Sequence, residues 1–333
     1  MDQRAPNLHI SLGLGIAVVV LGISQATCAL AQSAADLDHL VAALAASSSE
    51  EEILHLLQQG GDPDASDLNG VPAIVAAAFA GNLPVVQVLA DSGANIETTD
   101  QYSSTPLMAA LAAGKRDVAE FLITRGADVN HTRSEGYSPL MVAAQNDQAN
   151  DLVQMLLAAG ARINQVDEST GETPFLRGAV SGDAAIVRTL AKWGADVNAV
   201  TREGRNAIMC AIEMNVEDVG FIKTLLDLGV KAQHESSYGW TPLMSAIAGN
   251  SNDAVGLLLQ SGASSQHLEQ ALLVLGIAEK NMTLINAAIA LGANPLLSDE
   301  YGNRIIDTAI NDPPIYDRLK QVSGFDVPAT EQE

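Results

Sequence analysis

The 333-residue sequence has little of what most catalytic sites and bulky cores are built from. Aromatics make up 4% of it although 47% of the residues are hydrophobic, so the core cannot rest on stacked rings. Ala recurs throughout instead, which suits close helix-on-helix packing and leans the chain toward an all-α fold. The two cysteines, Cys28 and Cys210, exclude a disulfide framework, and if Cys28 leaves with an export signal no intramolecular disulfide is possible. Basic residues are few: 17 Lys and Arg stand against 40 Asp and Glu, a formal charge of −23. Such a protein repels nucleic acid and anionic lipid, so neither is expected as a partner.

Recognisable catalytic signatures are missing too. No GxSxG, HExxH, CxxC, Walker-type or dinucleotide-binding glycine loop occurs. Of the six histidines, His131 and His234 lie three repeat lengths apart, about 30 Å at about 10 Å per stacked layer, whereas zinc ligands lie about 2 Å from a shared ion. Cys210 occupies a small-residue position and reads as a buried, inert thiol. No metal, cofactor, small-molecule substrate or enzymatic activity is expected.

No apolar run reaches the roughly 20 residues of a membrane-spanning helix. The longest, residues 12–23 (LGLGIAVVVLGI), follows Arg4 and precedes Ala29-Leu30-Ala31, the layout of a cleavable export signal over residues 1–31. The expected location is the periplasm, with full secretion or an uncleaved inner-membrane anchor as alternatives. Membrane contact is expected only in the uncleaved form.

What the sequence does have is a period. Gly followed by a small residue recurs from Gly93-Ala94 to Gly292-Ala293 at spacings of 33, 34, 34, 35, 33 and 30 residues. A second signature keeps step with it: Ser104-Thr105-Pro106-Leu107-Met108, Tyr137-Ser138-Pro139-Leu140-Met141, Glu172-Thr173-Pro174-Phe175-Leu176 and Trp240-Thr241-Pro242-Leu243-Met244. Thr or Ser before Pro predicts a helix N-cap, and Pro at the first helical position loses nothing by lacking an N–H. Gly81, Gly114 and Gly182 are placed to end first helices in left-handed turns. A second amphipathic helix follows each, then a polar stretch that projects as a hairpin-like finger.

By these residues the chain resembles the ankyrin-repeat family. Gly126-Ala127-Asp128-Val129-Asn130 and Gly194-Ala195-Asp196-Val197-Asn198 match its Gly-Ala-Asp-Val-Asn element letter for letter. The resemblance implies a solenoid of stacked helix-turn-helix units with finger loops, about seven to eight repeats, binding protein on a concave side. It departs where the family carries a bridging His, since Met108, Met141, Met209 and Met244 stand there and predict apolar packing instead.

The expected organisation is a signal at 1–31, a capping repeat at 32–66, ankyrin repeats at 67–266, an irregular repeat and C-terminal cap at 267–321, and a loose tail at 322–333. Ser49 and Glu52 are spaced as a capping box. Residues 303–311 and 315–321 read as a closing helix pair split by Pro313-Pro314, and the repeat after Gly262 has lost its finger.

Aromatics concentrate where burial does not require them. Tyr102, Tyr137, Tyr238 and Tyr301 fall in fingers, with Trp240 before a Thr-Pro and Arg133, Arg202, Arg205 and Arg304 beside them. Tyr, Trp and Arg most often anchor interfaces, although Tyr beside Gly is also ordinary turn chemistry. The expected partner-binding set is Tyr102, Arg133, Tyr137, Arg202, Arg205, Tyr238, Trp240 and Tyr301, over a floor of Phe79, Gln145, Asn146, Val180, Ser181, Glu213 and Met214. The leading reading is a non-enzymatic protein-interaction scaffold. A secreted effector acting on a host protein is the second, and an enzyme or metal-binding protein with an unfamiliar site the third.

Overall fold

The computed structural model describes residues 38–39, 41–42, 45–133, 136–146, 149–214, 218–249, 251–263, 268–290, 292–298 and 302–323. The expected export signal at 1–31, Tyr301 and residues 324–333 of the expected tail lie outside them. Sixteen α-helices are described, and fifteen of them form two layers. The inner layer is α2 (Ala73–Ala80), α4 (Pro106–Ala112), α6 (Pro139–Gln145), α8 (Pro174–Ser181), α10 (Ala207–Glu213), α12 (Pro242–Ala248) and α14 (Leu268–Ala278). The outer layer is α1 (Glu50–Gln58), α3 (Leu83–Asp91), α5 (Arg116–Thr124), α7 (Asn150–Ala158), α9 (Ala184–Lys192), α11 (Val219–Asp227), α13 (Asn252–Gln260) and α15 (Met282–Ala290). Each inner helix packs on the next inner one, the outer helices α1 to α13 pack each on the next, and α15 packs on α14.

Local chemistry sets the inner helices. Thr105, Ser138, Thr173 and Thr241 cap them, each side-chain oxygen accepting the backbone N–H of Met108, Met141, Leu176 or Met244 at 3.2–3.4 Å. Asn206 does the same for Met209 at 3.1 Å. Those four Met side chains are buried, so thioethers fill the core where the family's His would bridge. Gly81 and Gly182 end α2 and α8 at φ 80° and 75°, in the left-handed region that a Cβ disfavours.

A ladder of side-chain amides and carboxylates runs along the stack beside this core. Asp38, Asp64, Glu97, Asn130, Asn164 and Asn198 each accept a backbone N–H from the next unit, that of Asp62, Asn95, Asp128, Arg162, Asp196 and Lys231, at 2.7–3.3 Å. Gln233 donates to the Gly262 carbonyl. Each rung contributes about 1 kcal/mol net, and repetition makes the set substantial.

Both ends carry corrections as well as agreements. Ser49 and Glu52 form the capping box at the start of α1. The repeat that lacks a finger does not interrupt the stack: α14 packs on α12, and Gln270 bonds both the N–H and the carbonyl of Asn294 at 2.5 and 2.6 Å, restoring the rung. The closing pair is not two helices split by prolines. Its first half is a 3-10 turn, Ile305–Ala309, and Pro313 opens the final helix α16 (Pro313–Ser323). Proline suits that position because the first-turn N–H it lacks would have had no helical partner. The helix also carries Val322 and Ser323, which the loose-tail boundary had excluded.

Candidate protein-binding surface

Six fingers share one closure. The residue opening each turn donates its N–H to the carbonyl of the residue that closes it: Asp67 to Val71, Asp100 to Ser104, Arg133 to Tyr137, Asp167 to Glu172, Thr201 to Arg205 and Ser236 to Trp240, at 2.8–3.1 Å. Inside most turns the opening side chain also accepts backbone N–H groups. Asp100 takes those of Tyr102 and Ser104, and Ser236 takes those of Tyr238 and Trp240. Short Asp, Ser and Thr side chains do this well, which is why they recur there.

This geometry sorts the expected binding residues into two rows. Tyr102 and Tyr238 sit at the tips, 52% and 38% exposed, and Leu68 at the first tip is 88% exposed. Tyr137, Arg205 and Trp240 instead occupy the closing position at the finger base, where they are half-buried. Tyr137 and Trp240 pack against the core, and the Trp240 indole N–H is buried without an acceptor. The base row is tied to the inner helices. Tyr137 Oη donates to Gln145 Oε1 at 2.6 Å, and Arg205 pairs with Glu213 at 2.6 Å and with Glu203 at 3.6 Å. Arg202 is exposed but committed, its guanidinium donating to the Glu168 carbonyl at 2.7 Å. Arg304 pairs with Asp307 at 2.9 Å, which holds that carboxyl below the ordinary Asp range.

The sequence reading missed three members of this surface: Leu68, Glu172 and Arg177. Arg177, on α8, meets Glu172 at 2.5 Å with side chains only 15% and 13% exposed, and its guanidinium lies 5.0 Å from the Tyr137 ring centroid. Arg133 lies over the same ring at 5.7 Å. Burial pushes the Tyr137 phenol above its ordinary range despite both cations. Of the floor residues, Gln145, Glu213 and Met214 are exposed, while Phe79, Asn146, Val180 and Ser181 are half-buried.

Adjacent fingers join in the middle of the stack. Arg202 N–H donates to the Thr170 carbonyl at 2.7 Å and Ser237 N–H to the Glu203 carbonyl at 2.9 Å. His234 Nε2 donates to the Gly204 carbonyl at 2.6 Å, and His131 Nε2 to that of Ser103 at 3.2 Å. The two finger histidines are therefore bridges between neighbours. Among the described residues no group of three His, Cys, Asp or Glu could hold a metal ion, Cys210 is buried, and no helix is long and apolar enough to cross a membrane.

Paired helices, projecting fingers and an amide ladder define a helical repeat protein of the solenoid class. The family described as Ankyrin repeats matches in three copies, over residues 42–133, 126–201 and 179–268, and the chain belongs to that family. It is 30% identical over 158 residues to the Escherichia coli (strain K12) ankyrin repeat protein YahD, an alignment covering 47% of this chain and 65% of YahD. It is 31% identical to the ankyrin repeat and KH domain-containing protein mask-1 of Caenorhabditis elegans, over 47% of this chain and 7% of that protein. The human SH3 and multiple ankyrin repeat domains protein 2 matches at 32% over 34% of this chain and 6% of its own length. The chain thus spans less than two thirds of each relative. Ankyrin repeats generally mediate protein–protein interaction, and the matching family is not a catalytic one.

Proposed function

We propose that this protein is a non-enzymatic scaffold that holds a partner protein against its finger row, and that residues 1–31 export it to the periplasm. The observation that carries the reading is the pairing of exposed apolar and aromatic tips, Leu68, Tyr102 and Tyr238, with fingers whose bases are fixed by hydrogen bonds and ion pairs. A pre-ordered aromatic side chain contributes contact area at little cost in conformational entropy. Tyr102 and Tyr238 are the anchors, with Arg202 on the finger next to that of Tyr238. Arg133, Tyr137, Arg205 and Trp240 shape the surface from beneath, and Tyr301 would extend the row.

The test is co-purification of the full-length protein from periplasm, beside the double variant Tyr102→Ala with Tyr238→Ala. A partner retained by the native chain and lost about tenfold or more by the variant is expected, as for two interface aromatics. A partner indifferent to both substitutions would move the binding surface elsewhere. N-terminal sequencing of the same preparation checks export, with Gln32 as the expected first residue. Recovery from the medium or from host cells would favour the secreted-effector reading.

A further inference from the structure

Two residues break the rule of the repeat, and both arrive at one aromatic ring. The residue opening the finger turn is an acceptor in Asp67, Asp100, Asp167, Thr201 and Ser236, but finger three has Arg133. The fourth residue of the inner helix is Ala76, Ala109, Val142, Cys210 or Ser245 elsewhere, but α8 has Arg177. Local rules broken at two positions that meet on one ring are what functional or strained sites show.

Their hydrogen bonds are left incomplete. Arg177 gives one nitrogen to Glu172, yet its Nε is buried without an acceptor, as are Nε and one terminal nitrogen of Arg133. The other carboxylates that act on the cluster are Asp100, felt by Arg133, and Asp167, felt by Tyr137. In each, Oδ1 already accepts two or more N–H groups of its own finger. Buried guanidinium N–H groups without acceptors are costly, so both side chains gain by turning toward an arriving anion.

The geometry points to a receptor formed by Arg133 and Arg177 on Tyr137 for the carboxylate of a single Asp or Glu side chain, carried by a partner segment laid across the fingers. It rests on the scaffold reading. Glu172 already offsets one guanidinium at the contact, and Asp100 and Asp167 act on the cluster from further off, so the site accepts a carboxylate monoanion better than a phosphate dianion. The planar fork of Arg matches the two carboxylate oxygens. Further fingers lie on both sides of the cluster, so a bound chain continues in both directions and offers a side chain rather than its terminus.

The probe is N-acetyl-glutamate N-methylamide titrated into the ¹⁵N-labelled full-length protein, read at the Nε–H resonances of Arg133 and Arg177. A saturable shift of both in the millimolar range is expected, with the glutamine analogue giving none. Arg133→Gln should weaken the response about tenfold, in keeping with a charge-assisted pair, while leaving the melting temperature unchanged or raised. Arg133→Lys keeps the charge and the fold and should lose most of the affinity, because it lacks the fork. Equal response to the glutamine analogue, response to inorganic phosphate alone, no saturable shift, or full affinity in the lysine variant would each overturn the proposal. If the receptor fails while Tyr102 and Tyr238 still govern co-purification, the scaffold reading stands without it.

Discussion

The first finger and the middle fingers are built to one plan and held in different ways. Gly70 and Gly171 share a φ of 75°, yet a Cβ on Gly70 would meet nothing within 4 Å, whereas one on Gly171 would stand 2.5 Å from the Arg202 nitrogen. Around Gly171 the fingers exchange backbone hydrogen bonds and place Arg202 against Glu168. Among the described residues no hydrogen bond joins the tip of the first finger to the second. Closing a finger is thus a local matter of turn chemistry, and joining fingers is a separate property that the middle of the stack has and its start lacks. The arginine cluster borders the joined fingers, and the open stretch carries the most exposed apolar tip, Leu68.

The largest way to break this contrast is a pair of matched substitutions. Gly171→Ala should cost about 3 kcal/mol, from left-handed strain plus a clash with backbone that cannot step aside. Gly70→Ala has the strain alone and should cost about 1 kcal/mol. Chemical denaturation of both variants measures the gap, and equal losses would show that finger contacts contribute nothing. The next effect compares two tyrosines. Tyr137→Ala removes a core-packed ring and its bond to Gln145 and should cost about 2 kcal/mol, while Tyr102→Ala should stay within about 0.5 kcal/mol. A stability loss at Tyr102 as large as at Tyr137 would mean that the exposed tips also support the fold.

Much of this molecule could be read from its sequence, for a physical reason. Caps at Thr105 or Ser138, turns at Gly81 and the capping box at Ser49 are settled by residues within four positions of one another. The aromatic row was legible as a group and illegible in detail. Tyr102 and Tyr238 differ from Tyr137 and Trp240 only in standing at the tip of the turn or at its closing residue, and that shift decides exposure. Arg177 was missed because the ring it lies against, Tyr137, is 40 residues earlier, at the base of the preceding finger. Yet a charged residue among Ala109, Val142, Cys210 and Ser245 was visible once the repeats were aligned. At the C-terminal end, Pro313-Pro314 misled because proline both breaks a helix and begins one.

The smallest effect sharpens the comparison because it reports on a middle finger alone. Desolvation raises the Glu203 carboxyl, but bonds from its own backbone N–H and Thr201, together with Arg205, outweigh that and hold it below the ordinary Glu value. A carboxylate depressed in the folded state adds stability above its unfolded value of about 4.3, and loses it as pH falls through the lower folded value. A carboxyl ¹³C titration should therefore find Glu203 ionised into more acid conditions than a free Glu. Arg205→Met should return it toward about 4.3. Because Arg205 also pairs with Glu213 at the end of α10, the same variant should release that helix end while the first finger stays unaltered. If Glu203 did not move in Arg205→Met, the finger's own backbone and Thr201 would suffice to hold it, and the arginine would serve Glu213 instead.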